Sequence, residues 1–316
     1  MSAATDHATR GALLHLEGDL AGARAAYAEA LAADPEHATA HNNLGFLLAQ
    51  EGRVDEAAAE LERSLDLEPG SSMAWSNLGN VRLAQGDAEG GLAALRRAVE
   101  LDPRNAVAQE SLGRILLAAG RQAEAERACR AAVAAAPDNP AFLVSLAAAV
   151  AARGRLREAV ALLEETTAFD PECAPAWEQL GLLRLARRDH GSAVEALRRA
   201  VALEPELTKA RHALALAYLT LGEPAAAALE LERYLLLRPD DAAVRLDLAA
   251  VYAGAGRFDD ALAQAEAGGD SPRARFGRAA ALVGAGRREE AVPELERLAA
   301  EETPYSGRAA EVLRGL

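Results

Sequence analysis

The sequence predicts an all-α fold, a solenoid of stacked helix-turn-helix repeats. The first observation is a strict period, because seven prolines follow one another at intervals of 34 residues: Pro35, Pro69, Pro103, Pro137, Pro171, Pro205 and Pro239. The second is that small residues and glycines recur at fixed places within each period, with no alternating pattern typical of strands. A period of this length is typical of a solenoid, in which each hairpin buries its apolar face against its neighbours.

The predicted hairpins follow one another from Ala4 onward. Nine repeats span residues 4–37, 38–71, 72–105, 106–139, 140–173, 174–207, 208–241, 242–271 and 272–305. The eighth is four residues short because Gly268 and Gly269 cut its second helix. We expect residues 306–316 to form a lone capping helix, with Val312 and Leu313 available to cover the last hairpin.

Each repeat keeps the same chemical character at the same positions, counted with Ala4 as position 1. Positions 8 and 20 carry only Gly or Ala, which two helices need where their backbones approach closely. Position 15 is Gly except for Arg188, and a Gly there ends the first helix because it accepts the left-handed conformation cheaply. The proline at position 32 ends the second helix, so a helix, a short turn, a second helix and another turn recur throughout.

The third repeat carries the clearest motif. Trp75, Leu78 and Gly79 are followed by Gly91, Leu95, Ala98 and Pro103 at a fixed spacing. This pattern resembles the tetratricopeptide repeat (TPR), and the resemblance covers nearly the whole chain. It implies a right-handed superhelix whose first helices line a concave groove, with positions 2, 5, 6, 9 and 12 facing that groove. It also implies that the partner is a protein or an extended peptide.

The groove positions carry a polar row with apolar anchors. Asn43 and Asn77 are similar to the asparagine ladder of O-linked N-acetylglucosamine transferases, which grips extended peptide backbones. An amide suits this task because it offers donors and an acceptor together. Phe46 is expected to be an exposed aromatic anchor. The predicted partner-binding residues are Asn42, Asn43, Phe46, Met73, Asn77, Asn80, Ser111, Arg114, Ser145, Gln179, Leu182 and Leu216.

Composition argues against other classes of partner. The formal net charge is −14 with a single lysine, Lys209, whereas sequence-independent binding of nucleic acid needs clustered basic residues. No apolar run is long enough to cross a membrane, and no secretory leader is visible in the first residues. Cys129 and Cys173 lie 44 residues apart on different repeats, which suggests a reducing compartment and therefore the cytoplasm.

No motif for catalysis, a metal or a cofactor stands out. His37 and His41 could share a helix face, but no third ligand completes a metal site. Nucleophile elbows, zinc-binding helices and phosphate loops are missing from the sequence. We therefore expect a protein that is not an enzyme.

Two functional hypotheses remain. The first is a non-catalytic adaptor or scaffold that holds an extended segment in its groove. The alternative is an assembly protein that forms a homo-oligomer through its outer helices or its ends, with Tyr234 and the shortened eighth repeat as candidate interface marks. A further alternative is that the groove side chains only pack neighbouring first helices.

Overall fold

A computed structural model describes residues 2–316 of the chain. The described residues form α-helices joined by short turns, and none of them lies in a β-strand. The helices are α1 (Ala3–Leu16), α2 (Leu20–Ala33), α3 (Ala38–Gln50), α4 (Val54–Leu67), α5 (Ser72–Ala84), α6 (Ala88–Leu101), α7 (Ala106–Ala118), α8 (Gln122–Ala135), α9 (Pro140–Ala152), α10 (Leu156–Phe169), α11 (Ala174–Ala186), α12 (His190–Leu203), α13 (Thr208–Thr220), α14 (Pro224–Leu237), α15 (Ala242–Gly254), α16 (Phe258–Ala267), α17 (Pro272–Gly284), α18 (Arg288–Ala300) and α19 (Ser306–Gly315). The predicted all-α class is confirmed.

The contacts divide the helices into two compact units, and the division falls within α10. The N-terminal unit ends at Leu162 and the C-terminal unit runs from Leu163 to Leu316. In the N-terminal unit each helix from α1 to α8 packs against the next one, and the first helices α1, α3, α5, α7 and α9 also contact one another in a row. In the C-terminal unit each helix from α11 to α18 likewise packs against the next one. Each unit is thus a stack of helical hairpins.

Glycine permits the close approach of the two helices within a hairpin. A Cβ placed on Gly45 would lie 2.7 Å from Leu61 Cγ, and one on Gly79 would lie 2.7 Å from Leu95 Cγ. Both leucines are fully buried. The small residues predicted at position 8 therefore let a leucine of the second helix fill the space beside the first helix.

The turn between the two helices of a hairpin uses the left-handed conformation. The position 15 glycines have φ between 73° and 85°, as the sequence predicts for a helix stop. Arg188 takes the same conformation with φ of 61°. Because an L side chain disfavours this region, Arg188 is a locally strained position.

A side chain at position 4 of the first helix stabilises the turn that precedes it. In six repeats this side chain meets the carbonyl oxygen of the proline six residues earlier; Trp75 Nε1, for example, donates to Pro69 O over 2.9 Å. The six are His41, Trp75, Gln109, Trp177, Arg211 and Arg245, at distances of 2.8–3.1 Å. After the remaining proline of the series, Pro137, the residue at position 4 is Leu143, whose side chain has no hydrogen-bond donor.

The C-terminal end of the chain covers the last hairpin. Helix α19 packs against α18, and its Ala309 is fully buried. Val312, Leu313 and Leu316 pack partly buried against a cluster that contains Leu295. Across residues 2–316, no helix is both long and apolar enough to span a membrane.

Candidate functional site

Three first helices of the N-terminal unit enclose a pocket. It lies along α3, α5 and α7 and has a volume of about 470 Å³. We call it the amide pocket, and its lining residues are Asn42, Asn43, Phe46, Ser72, Met73, Ser76, Asn77, Asp102, Asn105 and Val107. It brings together five of the residues predicted from the sequence.

The asparagine side chains of the pocket are bonded to one another. Asn77 Nδ2 donates to Asn42 Oδ1 over 3.0 Å, and Asn42 Nδ2 donates to Asn43 Oδ1 over 3.1 Å. Burial raises the pKa of Tyr27, and a hydrogen bond with Asn43 acts in the opposite direction. These bonds fix the orientation of the amide planes. Each NH₂ group still has a second hydrogen to donate, and the Asn77 side-chain oxygen can accept a hydrogen bond from a ligand.

Ser76 places an unpaired hydroxyl in the pocket wall. The residue is 1% exposed, and its Oγ has no hydrogen-bond partner within residues 2–316. A buried polar atom without a partner costs about 1–3 kcal/mol, so such atoms are rare in folded proteins. A ligand group that reached Ser76 Oγ would recover that free energy.

Three apolar side chains project beside these polar groups. Phe46 is 43% exposed, Met73 is 63% exposed and Val107 is 52% exposed. The Phe46 ring also lies against His15, with the ring centroids 5.5 Å apart. Together they offer an apolar surface on which a partner side chain could bury its hydrocarbon.

The turn before α7 supplies wall residues that the predicted site lacks. Asn105 Nδ2 donates to Ser72 Oγ over 2.8 Å, and Ser72 Oγ donates to Ala98 O over 2.9 Å. Asp102, which ends α6, is the one charged residue of the lining. Val107 and Ser76 could have been found, because they occupy the groove positions 2 and 5. Asp102 and Asn105 lie in the turn between α6 and α7, outside the groove positions.

The other predicted residues of the N-terminal unit lie outside the amide pocket. Asn80 lines a smaller neighbouring pocket of about 260 Å³ together with Phe46 and Asn77. Ser111 is buried, with 5% of its surface exposed. Ser145 Oγ donates to Glu110 Oε1 over 2.7 Å, and Arg114 Nε is 3.7 Å from the same carboxylate oxygen.

Three predicted residues belong to the C-terminal unit. Gln179 is half-buried, and Leu182 packs against the cluster around the buried Leu197. Leu216 is 44% exposed. Of these three, Leu216 presents the most open apolar surface.

The histidines considered as metal ligands are engaged in local bonds. His37 Nδ1 accepts from the Ala40 amide over 3.1 Å and thereby caps α3. His41 Nδ1 lies 2.6 Å from Glu60 Oε2. Within residues 2–316, no three His, Cys, Asp or Glu side chains are grouped so as to hold a metal ion.

Family models place the chain among the TPR proteins. Residues 3–216 match the model described as the cilia and flagella-associated protein 70 C-terminal domain, a TPR model. Residues 212–272 and 272–297 match models described as tetratricopeptide repeats. The first match covers more than half of the chain, so the chain belongs to this family of TPR domains. A comparison with curated proteins found no match.

Solved structures with similar folds include TPR proteins. TTC0263, a thermophilic TPR protein of Thermus thermophilus, is 26% identical over 57% of this chain and 98% of its own, with a TM-score of 0.50. A chain of the APC/C hetero-tetramer Cut9–Hcn1 is 18% identical over 91% of this chain and 54% of its own, with a TM-score of 0.65. A TPR protein of Parabacteroides merdae is 15% identical over 79% of this chain and 98% of its own, with a TM-score of 0.61. The TPR fold indicates a role in protein–protein interaction or as a scaffold.

Proposed function

We propose that the chain is a non-catalytic scaffold that holds an extended segment of a partner protein in the amide pocket. The observation that carries this proposal is a pocket with free amide hydrogens, an unpaired buried hydroxyl at Ser76 and exposed apolar side chains beside them. An extended backbone presents unpaired N–H and C=O groups, which are the groups that such a wall can satisfy.

The pocket fits a particular kind of segment. The Asn77 oxygen accepts from a backbone N–H, and the remaining amide hydrogens donate to backbone carbonyls. One apolar side chain of the segment lies between Phe46, Met73 and Val107, where its burial contributes about 25 cal/mol per Å² of apolar area. The only charge on the wall is that of Asp102, so an acidic residue is disfavoured beside it.

Replacing the pocket residues tests the proposal. The full chain is used to select binders from a displayed library of short random peptides, and affinities are measured by calorimetry. Combined substitution Asn43→Ala, Phe46→Ala and Asn77→Ala should abolish binding while helical circular dichroism stays unchanged. A control with Gln122→Ala and Phe169→Ala, which changes exposed residues elsewhere, should bind as the wild type does. If the triple variant retains binding of every selected peptide, the proposed place of binding is refuted.

Ser76→Ala is a second and sharper test of the same pocket. Removing an unsatisfied buried hydroxyl should leave the stability of the free chain unchanged or raise it by about 1 kcal/mol. The same change should weaken peptide binding, since the ligand loses a partner. A variant that loses stability and keeps its affinity would contradict a ligand role for Ser76.

Self-association is a second candidate, favoured by two leucines on the outer helix α14. Leu229 is 46% exposed and Leu236 is 83% exposed, and they lie seven residues apart on one helix face. The other repeats carry Ala, Pro or charged residues at these two positions. Tyr234, in contrast, forms a hydrogen bond within the C-terminal unit, because its hydroxyl donates to Asp241 Oδ2 over 2.7 Å.

Light scattering distinguishes this candidate from the first. A homo-oligomer that becomes monomeric on Leu229→Ser and Leu236→Ser substitution supports assembly through α14. A chain that is monomeric at all concentrations would exclude self-association and leave the peptide scaffold as the proposed function.

The cytoplasmic location inferred from the two cysteines is also a proposal, and fluorescence microscopy of the tagged chain would check it.

A further inference from the structure

The C-terminal unit has a pocket of its own with a different chemistry. It lies along α15, α17 and the first turn of α19 and has a volume of about 610 Å³. We call it the arginine pocket, and its lining residues are Leu246, Ala249, Ala250, Ala253, Arg273, Phe276, Gly277, Ala280, Tyr305 and Arg308. None of the sequence-predicted binding residues belongs to it.

The charges that line this pocket are all positive. Arg273 Nη2 lies 2.6 Å from Asp247 Oδ1, and Asp247 is also 3.1 Å from His212 Nε2. Arg308 is exposed and forms no ion pair within residues 2–316. The pocket lining contains no carboxylate, and the Arg308 guanidinium at the pocket has no ion-pair partner among the described residues. In a chain with a net charge of −14, this combination favours the binding of a negatively charged group.

The start of α19 adds to the positive potential. No side chain caps this helix at Tyr305, and both Tyr305 and Arg308 line the pocket. The backbone N–H groups of a first helical turn lack partners within the helix and carry partial positive charge. The Ser306 N–H already donates to Thr303 O over 3.2 Å, so the groups open to a ligand are those that follow it in the turn. A carboxylate next to Arg308 would therefore also meet this helix end.

The walls leave room for the hydrocarbon part of a ligand. Alanine and glycine make up much of the lining, where larger side chains would fill the space. Phe276 and Tyr305 add two aromatic rings to the lining, with their ring centroids 5.4 Å apart and the ring planes tilted by 34°. Such a surface suits an aliphatic stem that ends in a charge.

We propose that the arginine pocket binds an extended peptide segment through an acidic side chain, glutamate or aspartate. The carboxylate accepts hydrogen bonds from Arg308 and from the first turn of α19, while the methylene groups of the acidic side chain lie against the alanine and aromatic side chains of the lining. Arg273 is held by Asp247 and contributes its charge from the rim. This site is independent of the amide pocket, whose single lining charge is negative.

The test uses the full chain and peptides selected on it from a displayed random library. Acidic binders are synthesised with acetylated and amidated ends, and their affinity is measured by fluorescence anisotropy. Changing the acidic residue to its amide should weaken binding about tenfold or more, the value of one charge-assisted hydrogen bond. Arg308→Gln should give the same loss, and the two changes together should lose little more, because they remove the same interaction.

A matched control lies on the same helix. Arg314 is exposed on α19 outside the pocket, so Arg314→Gln should leave the affinity within about twofold of the wild type, as expected of a surface charge. Equal losses in the two arginine variants would overturn the proposal, as would a library selection that yields no acidic binders. Binding that needs a free C-terminal carboxylate, or that disappears with Phe46→Ala and Asn77→Ala, would also overturn it.

Discussion

Glu126 is the residue whose replacement should cost the N-terminal unit most among its acidic side chains. It lies on α8 and is 4% exposed, and its carboxylate accepts hydrogen bonds from three arginines. Arg153 Nη1 is 2.5 Å away, and Arg130 and Arg155 each lie at 2.9 Å. Glu126→Gln would remove the charge and turn an NH₂ group toward donors that need an acceptor.

The size of the effect follows from the pKa of this carboxyl. Burial raises the pKa, but the hydrogen bonds from Arg153, Arg130 and Arg155 outweigh burial and lower it from 4.5 to about 2. A difference of this size corresponds to about 3 kcal/mol of stability at neutral pH. The arginine side chains are 37–50% exposed, so solvent screening reduces our expectation to about 2 kcal/mol.

Urea unfolding of wild type and Glu126→Gln at a series of pH values measures this contribution. Because the pKa is lower in the folded state, the stabilisation is fully present above pH 4.5 and is lost as the pH falls toward 2. The two proteins should therefore differ at pH 7 and converge in acid. Glu124→Gln, at an exposed pair with Arg121 on the same helix, is the control and should change little. Equal stability at pH 7, or a difference that persists unchanged in acid, refutes the reasoning.

Three further predictions concern the backbone and the thiols. Arg188→Gly should raise the free energy of unfolding by about 1 kcal/mol, because glycine adopts the left-handed conformation without strain. Gly79→Ala should lower it by about 1–3 kcal/mol, since the new Cβ would lie 2.7 Å from Leu95 Cγ. Both are measured by chemical denaturation. Burial, with a smaller effect from the nearby Glu110 charge, raises the pKa of Cys129 to about 12, so iodoacetamide should leave this thiol unlabelled in the native protein at pH 8, as read by mass spectrometry.

Each of these predictions has a comparison that can contradict it. In Gly191→Ala no atom lies within 4 Å of the new Cβ, so this substitution should not change stability. An equal loss of stability in this variant would show that crowding does not explain the effect of Gly79→Ala. Arg188→Ala should not reproduce the gain of Arg188→Gly, because alanine keeps the strained Cβ. Rapid labelling of Cys129 in the folded chain would show that the thiol is not enclosed.

The fold could be predicted because its determinants are local and periodic. The proline at position 32, the glycine at position 15 and the small residue at position 8 each act within one hairpin, and nearby residues decide their effect. Gly79 is an example: its partner Leu95 lies in the same repeat. Repetition multiplies a weak signal until the fold class is unambiguous.

The candidate site was harder to predict because it depends on contacts between repeats. Position 6 identified Asn77, which lines the amide pocket, but the bond of Asn77 to Asn42 depends on how neighbouring first helices lie against each other. Asp102 and Asn105 enter the pocket from a turn, where helical periodicity carries no information. The unpaired state of Ser76 is likewise a property of three-dimensional packing and leaves no mark in the sequence.

Leu143 gives one stretch of the N-terminal unit a distinct dynamic character. Elsewhere a side-chain donor bonds the proline carbonyl to the helix that follows, whereas Leu143 offers no donor to the carbonyl of Pro137. Residues 136–139 should thus open more often than the corresponding turns, exchanging amide hydrogens sooner and offering proteases their first cut. Although the repeats share one pattern, this turn would then be a preferred point at which local unfolding begins.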